Sequence, residues 1–559
     1  MDYKVMVPSQ IWQGYDATKE PLNNQKTEYV GTFDDGIVEE RHHFIAMQKE
    51  DGDVKVAVRL LYKEGDVSSS PVIVMVGEYH RAPDEKLIIS LVRAGYAVVV
   101  PDLSGVGEFK TEFPESLEYG LYEKAGEHIK KVMPTAKETS QYLYTIIVRR
   151  ALTFVKRVVS DGRLIVMGLG DAVEIAIAVS ALEKEIVDGL ACLNGAGYRE
   201  YIKQNRYGEQ RELVMDEERM CWLTGVASVA YAKHVKAPTF IAIGSNARKS
   251  DIDRLSNLTA LMDNEDVHIV ISPLATDFML PEAYRSLIIW LRAVADGRID
   301  ELPTAPVLTM RVTEGEVPSF NVDCDPSSMI KKVVVYYAEK EYHHALRDYH
   351  EADGLSVSYN EYIADAEEYD EKEPLFAFAS VEYESGLYLS SLVEYRDLKG
   401  LPVKPKVKTA NATLRVIYQA GDEETSFVED CESSVLFEKS LRVVTTPKGM
   451  VGLTSDGDGI TTYRFDPDES ADSSRILQLE LLAEGQTEAE ITLLGKSDAG
   501  SKTYSAKIAL KDTKGLFMGT RLKITDFKDD NLMSLGDWYG IKALSIKGEK
   551  IIVGNILFI

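Results

Sequence analysis

The stretch Arg163 to Ala176, RLIVMGLGDAVEIA, constrains the fold more than any other. Leu164 to Met167 is apolar without alternation, as in a strand buried on both faces. Gly168 and Gly170 bracket Leu169, and from Asp171 the residues read as a helix. A buried strand turning this sharply into a helix belongs to a parallel sheet with right-handed crossovers. The neighbouring segments repeat the unit: a strand over Pro71 to Val76 ending at Gly77, a helix from Lys86 to Ala94, and a strand over Tyr96 to Val100. Gln141 to Val159 reads as a long amphipathic helix, Ile186 to Leu193, Thr239 to Ile243 and His268 to Ile271 as strands, and Tyr284 to Ala295 as a closing helix. Residues 36–47 and 53–63 alternate as a leading antiparallel pair. Residues 1 to about 30 look irregular, anchored by Trp12 and Tyr15. The expectation is a mostly parallel, doubly wound α/β domain over residues 1–302.

At Asp300 to Pro306 helical periodicity stops. From Val307 to about Leu398 short alternating strands dominate (VLTMRV, KKVVVYYA, LFAFASVEY, LYLSSLVEY), which predicts an immunoglobulin-like β-sandwich over 303–404. A proline-bearing hinge, Lys399 to Pro405, leads into strand after strand with Gly/Asp turns, which predicts a jelly-roll sandwich over 405–559. The chain has no internal repeat. Its formal charge of −27 offers no basic footprint for nucleic acid or an anionic membrane, so neither is an expected partner. No run approaches the ~18 apolar residues of a membrane span, and the N-terminus has no basic region followed by an apolar core. The four cysteines, Cys192, Cys221, Cys324 and Cys431, show no metal or disulfide spacing, so buried thiols in the cytoplasm are expected.

The first 300 residues resemble the acetyl-xylan esterase / cephalosporin C deacetylase-like branch of the α/β-hydrolases. The resemblance rests on Gly95-Tyr96 leading to Pro101-Asp-Leu-Ser-Gly-Val-Gly107, on Thr111 to Pro114, Tyr119-Gly120 and Arg149 to Leu152, and on the frame Gly168-Leu-Gly-Asp-Ala172. Leu375 to Gly386, followed by Leu389 to Ser391, is similar to the β-domain trailing some members. The resemblance implies a G-x-S-x-G nucleophile elbow and a Ser-His-acid triad. Here Gly170 stands at the nucleophile position, Ala247 at the acid position and Asp277 (or Thr276) at the histidine position. A glycine carries no atom that can attack. Asp171, one residue on, fits a helix N-terminus better than a nucleophile, and Glu174 has the same explanation.

The vestigial pocket is expected to be lined by Gly77, Tyr79, His80, Leu169 and Asp171, with His80 its only histidine. His268 falls at the wrong end of the sheet, and the pairs His42-His43 and His343-His344 are expected at exposed or edge positions. In the last domain Trp538, Tyr539 and Tyr463 are candidates for stacking on sugar rings, with core packing as the competing reading. Asp456, Asp458, Asp466 and Asp468 gather hard oxygens that could hold a structural Ca²⁺, although acidic turn residues explain them as well. No other cofactor is implied. Three functions stay open: a non-catalytic homologue binding a carbohydrate or small-molecule ester, an acetyl-ester hydrolase with a rearranged site (Ser104, Ser245 or Thr276 with His80), and a structural component of a homo-oligomer.

Overall fold

The computed structural model describes residues 2–32, 36–65, 67–197, 205–208, 215–367, 369–404, 416–421, 427–431, 434–465, 473–497 and 500–559. Nine strands form one mixed sheet: β1 (Gln25–Thr32), β2 (Ile37–Lys49), β3 (Gly52–Lys63), β4 (Val72–Val76), β5 (Ala97–Pro101), β6 (Leu164–Leu169), β7 (Gly189–Leu193), β8 (Thr239–Gly244) and β9 (Val267–Ser272). Their spatial order is β1-β2-β3-β5-β4-β6-β7-β8-β9. The pairings β1/β2, β2/β3 and β3/β5 are antiparallel, and every pairing from β5 through β9 is parallel. The unbroken apolar strands are those buried on both faces: every residue of β4, β5, β6, β7 and β8 is buried. Because these strands are parallel, the loops after β4, β6, β8 and β9 gather at one end of the sheet, where such folds place their sites.

One helix and one strand differ from expectation. Ser140–Phe154 has 14 of its 15 residues buried, so it is not amphipathic. Its outer side is covered by the N-terminal arm. The Arg150 guanidinium there donates to the carbonyls of Ala17, Glu20, Pro21 and Ile45, and Arg149 lies over the Trp12 and Tyr15 rings at 4.8 and 4.6 Å. The helix then widens into a π-turn, Val155–Val159. The strand expected from Ile186 starts only at Gly189. His42 is buried and hydrogen-bonded to Glu40 at 3.0 Å; β2 is an interior strand, so the expectation of an exposed or edge position fails for this pair.

Beyond residue 306 the described strands are antiparallel and fall into two pairs of sheets. A four-stranded and a five-stranded sheet enclose one apolar core, built from residues such as Phe320, Val335, Ala377 and Leu389. A six-stranded and a five-stranded sheet enclose another, built from residues such as Leu479, Ile491, Leu544 and Ile556. The expected strand LYLSSLVEY divides in two, Tyr388–Ser390 and Glu394–Asp397. None of the four cysteines is in a disulfide, and all are buried. Among the described residues, no helix is long and apolar enough to cross a membrane.

Candidate functional site

At the C-terminal end of β6 the chain makes the sharp strand-to-helix bend expected of an elbow. Gly170 has φ +51°, a left-handed conformation, before the helix Val173–Leu182 begins. A Cβ on Gly168 would stand 2.7 Å from the Ala176 Cβ, so that glycine lets helix and strand close up. A Cβ on Gly170 would stand 2.2 Å from Glu78 Oε1. The space above the bend, where a nucleophile would project, therefore holds a carboxylate from the loop after β4.

Glu78 is buried, with its side chain 3% exposed. Lys249 Nζ lies 2.6 Å from its Oε1, and Arg81 Nε contacts its Oε2. Burying a carboxylate is costly unless cations pair with it. Two do so here, one from its own loop and one from the loop after β8.

That second loop, Ser245 to Arg254, carries the acid position. Ala247 is buried, and its carbonyl oxygen is 2.8 Å from His344 Nε2. His344 and His343 are both buried in a turn (the helical part is His344–Leu346), not in a strand, and their rings stack with centroids 5.1 Å apart. His344 is thus a histidine in contact with the acid position. It belongs to the part of the chain beyond residue 306, and burial pushes its pKa down to about 4. Asp251 Oδ1 is 3.3 Å from its Nδ1. Next to it the Arg347 guanidinium meets both Asp253 oxygens at 2.6 Å, with both side chains excluded from solvent.

Asp277, at the expected histidine position, faces the same loop. Its Oδ1 accepts the backbone N–H groups of Arg248 (3.1 Å) and Lys249 (3.3 Å). Burial raises its pKa, opposed by the charges of Lys249 and Arg248. The Arg248 guanidinium reaches both oxygens of Asp430 at 2.9 Å, a residue of the last part of the chain. Burial pushes Asp430 up, but Arg248 and the Thr461 hydroxyl outweigh it and hold the group below the usual carboxylate range.

The hydroxyls that a rearranged triad could use are engaged elsewhere. Ser104 Oγ donates to the Tyr79 carbonyl at 2.6 Å, Ser245 Oγ to Asn246 Oδ1 at 2.7 Å, and Thr276 Oγ1 to Asp430 Oδ1 at 3.3 Å. Among the described residues none of the three hydrogen-bonds a histidine. Gly77 lies under Pro83, and Leu169 is buried at the end of β6. Tyr79, also buried, donates its hydroxyl to the Asp171 carbonyl at 2.9 Å. Beside the bend a cleft of about 390 Å³ is lined by Tyr79, His80, Tyr122, Lys130, Asp171 and Trp222, among others.

In the last part of the chain, Trp538 is fully buried among Phe465, Phe527 and Phe558, its Nε1 donating to the Arg475 carbonyl at 3.2 Å. Tyr463 is buried in a small cluster with Leu346, Val428, Leu494 and Ala543. Neither ring has a face for a sugar, which corrects the expectation for both; Tyr539 is 58% exposed. Asp456 pairs with Arg442 at 3.0 and 3.1 Å, and the Asp458 backbone N–H donates to the Asp430 carbonyl. Asp466 and Asp468 lie outside the described residues, and among those described no group of three or more His, Cys, Asp or Glu is placed to hold a metal.

The sequence reading did not assign roles to Glu78, His344, Arg347 or Asp430. The signal in the sequence is weak: two adjacent cations, Arg248-Lys249, in a loop otherwise close to an apolar strand end, and a glutamate two residues after the buried strand β4.

No family model matches the chain, and no curated protein matches it. Solved structures similar to it include the acetyl xylan esterase from Paenibacillus sp. R4, with TM-score 0.39 and 15% identity over 50% of this chain and 90% of that one. Another is Acetyl Xylan Esterase 1 from Thermoanaerobacterium sp. JW/SL YS485, with TM-score 0.41 and 14% identity over 52% and 96%. A third is the dienelactone hydrolase from Anabaena variabilis, with TM-score 0.28 and 15% identity over 46% and 96%. The N-terminal region is α/β-hydrolase-like by its own strand order and elbow, and several antiparallel sheets follow it.

Proposed function

We propose that this chain is a non-catalytic α/β-hydrolase homologue whose former reaction centre now joins three parts of one molecule. One observation carries the reading: the nucleophile's place above Gly170 is filled by the Glu78 carboxylate, which Lys249 and Arg81 neutralise. The acid and histidine positions support it. Their loops use Ala247, Arg248 and Asp277 for contacts that tie β8 and β9 to His344 and Asp430. The role that follows is binding or assembly, including assembly of copies of the chain. Residues 303–404 are read as an immunoglobulin-like sandwich and 405–559 as a jelly roll, because each pair of sheets encloses one core. A carbohydrate or small ester, if bound, would use the cleft with Tyr122 and His80 in its wall in preference to the buried Trp538.

The test is hydrolysis of p-nitrophenyl acetate and acetylated xylo-oligosaccharides by the full chain. The expected rate equals the uncatalysed background, unchanged in His80→Ala and Ser104→Ala. Turnover above background by the full chain overturns the proposal, and a fall of more than about tenfold in either variant then names the catalytic group.

A further inference from the structure

The geometry points to an anion-binding site at the elbow, built by Lys249 and Arg81, whose resident anion in this chain is the Glu78 side chain. The inference rests on the reading that Gly170 leaves the nucleophile's place without an attacking atom. Lys249 Nζ is 2.6 Å from Glu78 Oε1 and hydrogen-bonds it, while Arg81 Nε pairs by charge with Oε2, so each carboxylate oxygen has a cation beside it. Asp277, the other acid in the neighbourhood, turns an oxygen to the backbone of Arg248 and Lys249.

The missing side chain at Gly170 is what makes room, since any Cβ there would overlap Oε1. Clefts of about 370 and 320 Å³ each have both Glu78 and Arg81 in their walls, so a small solute has a route to the Arg81 side of the site. The ligand class is a small monocarboxylate such as formate or acetate: planar, singly charged, with two oxygens at the spacing the cations already hold. Removing the glutamate takes away the carboxylate at which two partly buried cations meet, while Asp277 stays beside the Lys249 charge, so a single negative charge is what the site lacks.

The experiment is chemical rescue in the full chain. The thermal midpoint of Glu78→Gly is measured against sodium acetate, with sodium chloride at equal ionic strength as control, beside wild type and Glu78→Gly/Lys249→Met. The expected result is a lowered midpoint for Glu78→Gly that rises by roughly 3–8 °C with saturating acetate. Wild type, whose site is already filled, shows no acetate-specific rise, and neither does the double variant. If Glu78→Gly does not fold in chloride, its refolding yield in acetate against chloride is the readout. A response that chloride reproduces, that wild type shares, that survives Lys249→Met, or that is absent in Glu78→Gly overturns the site. The readout is stability, so ester turnover by wild type would defeat the proposed function while leaving this result independently legible.

Discussion

At the scale of single residues, Gly170 and Glu78 form one unit. A side chain at 170 and the present position of Glu78 exclude each other, because their atoms would lie 2.2 Å apart. Gly170→Ser is therefore expected to destabilise the chain by about 1–3 kcal/mol, the range for overpacking. Glu78→Gly alone leaves Lys249 and Arg81 facing without their shared anion and is also destabilising. Combined, the two should cost less than their sum by more than about 0.5 kcal/mol, the coupling expected of residues in contact. Urea unfolding of the four species measures it; strict additivity would mean that Glu78 leaves its place readily. The double variant is not expected to gain esterase activity, since none of Ser104, Ser245 and Thr276 bonds a histidine that could serve as base.

At the scale of elements, what could be read from sequence and what could not divide along one physical line. β4 to β8 were legible because a strand buried on both faces leaves an unbroken apolar run in the chain itself. The elbow was legible because a glycine for close helix packing, Gly168, stands two residues before the positive-φ position, Gly170, at the end of a buried strand. The helix Ser140–Phe154 misled because its second apolar partner, the arm around Trp12, lies some 130 residues away and leaves no periodic trace. His344 and Arg347 reach the loop after β8 across 97 and 94 residues, and no local spacing announces that. The link after residue 302 makes an element-level prediction. Asp325 accepts the Thr304 backbone N–H (2.8 Å), the Thr304 hydroxyl (2.9 Å) and the Ser327 N–H (2.8 Å). Burial raises its pKa, but these bonds outweigh it and hold the carboxyl at about 2 against an ordinary 3.8. A depressed folded value means the stabilisation is fully present above pH 3.8 and is lost as pH falls toward 2. Asp325→Asn should lose roughly 1–2 kcal/mol at neutral pH and flatten the acid limb of stability below pH ~4. Unfolding free energies at pH 7 and pH 3 check this; a variant that keeps the wild-type slope refutes it.

At the scale of the whole molecule, the loop Ser245 to Arg254 is the common point. It holds Glu78 through Lys249, Asp430 through Arg248, His344 through the Ala247 carbonyl and Arg347 through Asp253. Arg347→Met strands the buried Asp253 carboxylate and should cost about 3–5 kcal/mol, the penalty of breaking a buried pair by removing one partner. Arg347→Met/Asp253→Leu should recover most of that, because no charge is then left without a partner. Denaturant midpoints decide it, and a single variant within ~1 kcal/mol of wild type would show that the joint carries little. The same loop governs how the chain can mature. While only the first 300 or so residues have left the ribosome, Arg248 and Asp253 have not yet met Asp430 and Arg347, which are still to be synthesised. The half that looks self-sufficient by its sheet is chemically unfinished until the last third of translation arrives, so a fragment cut after residue 302 should come off the ribosome as a species that chaperones hold and proteases find.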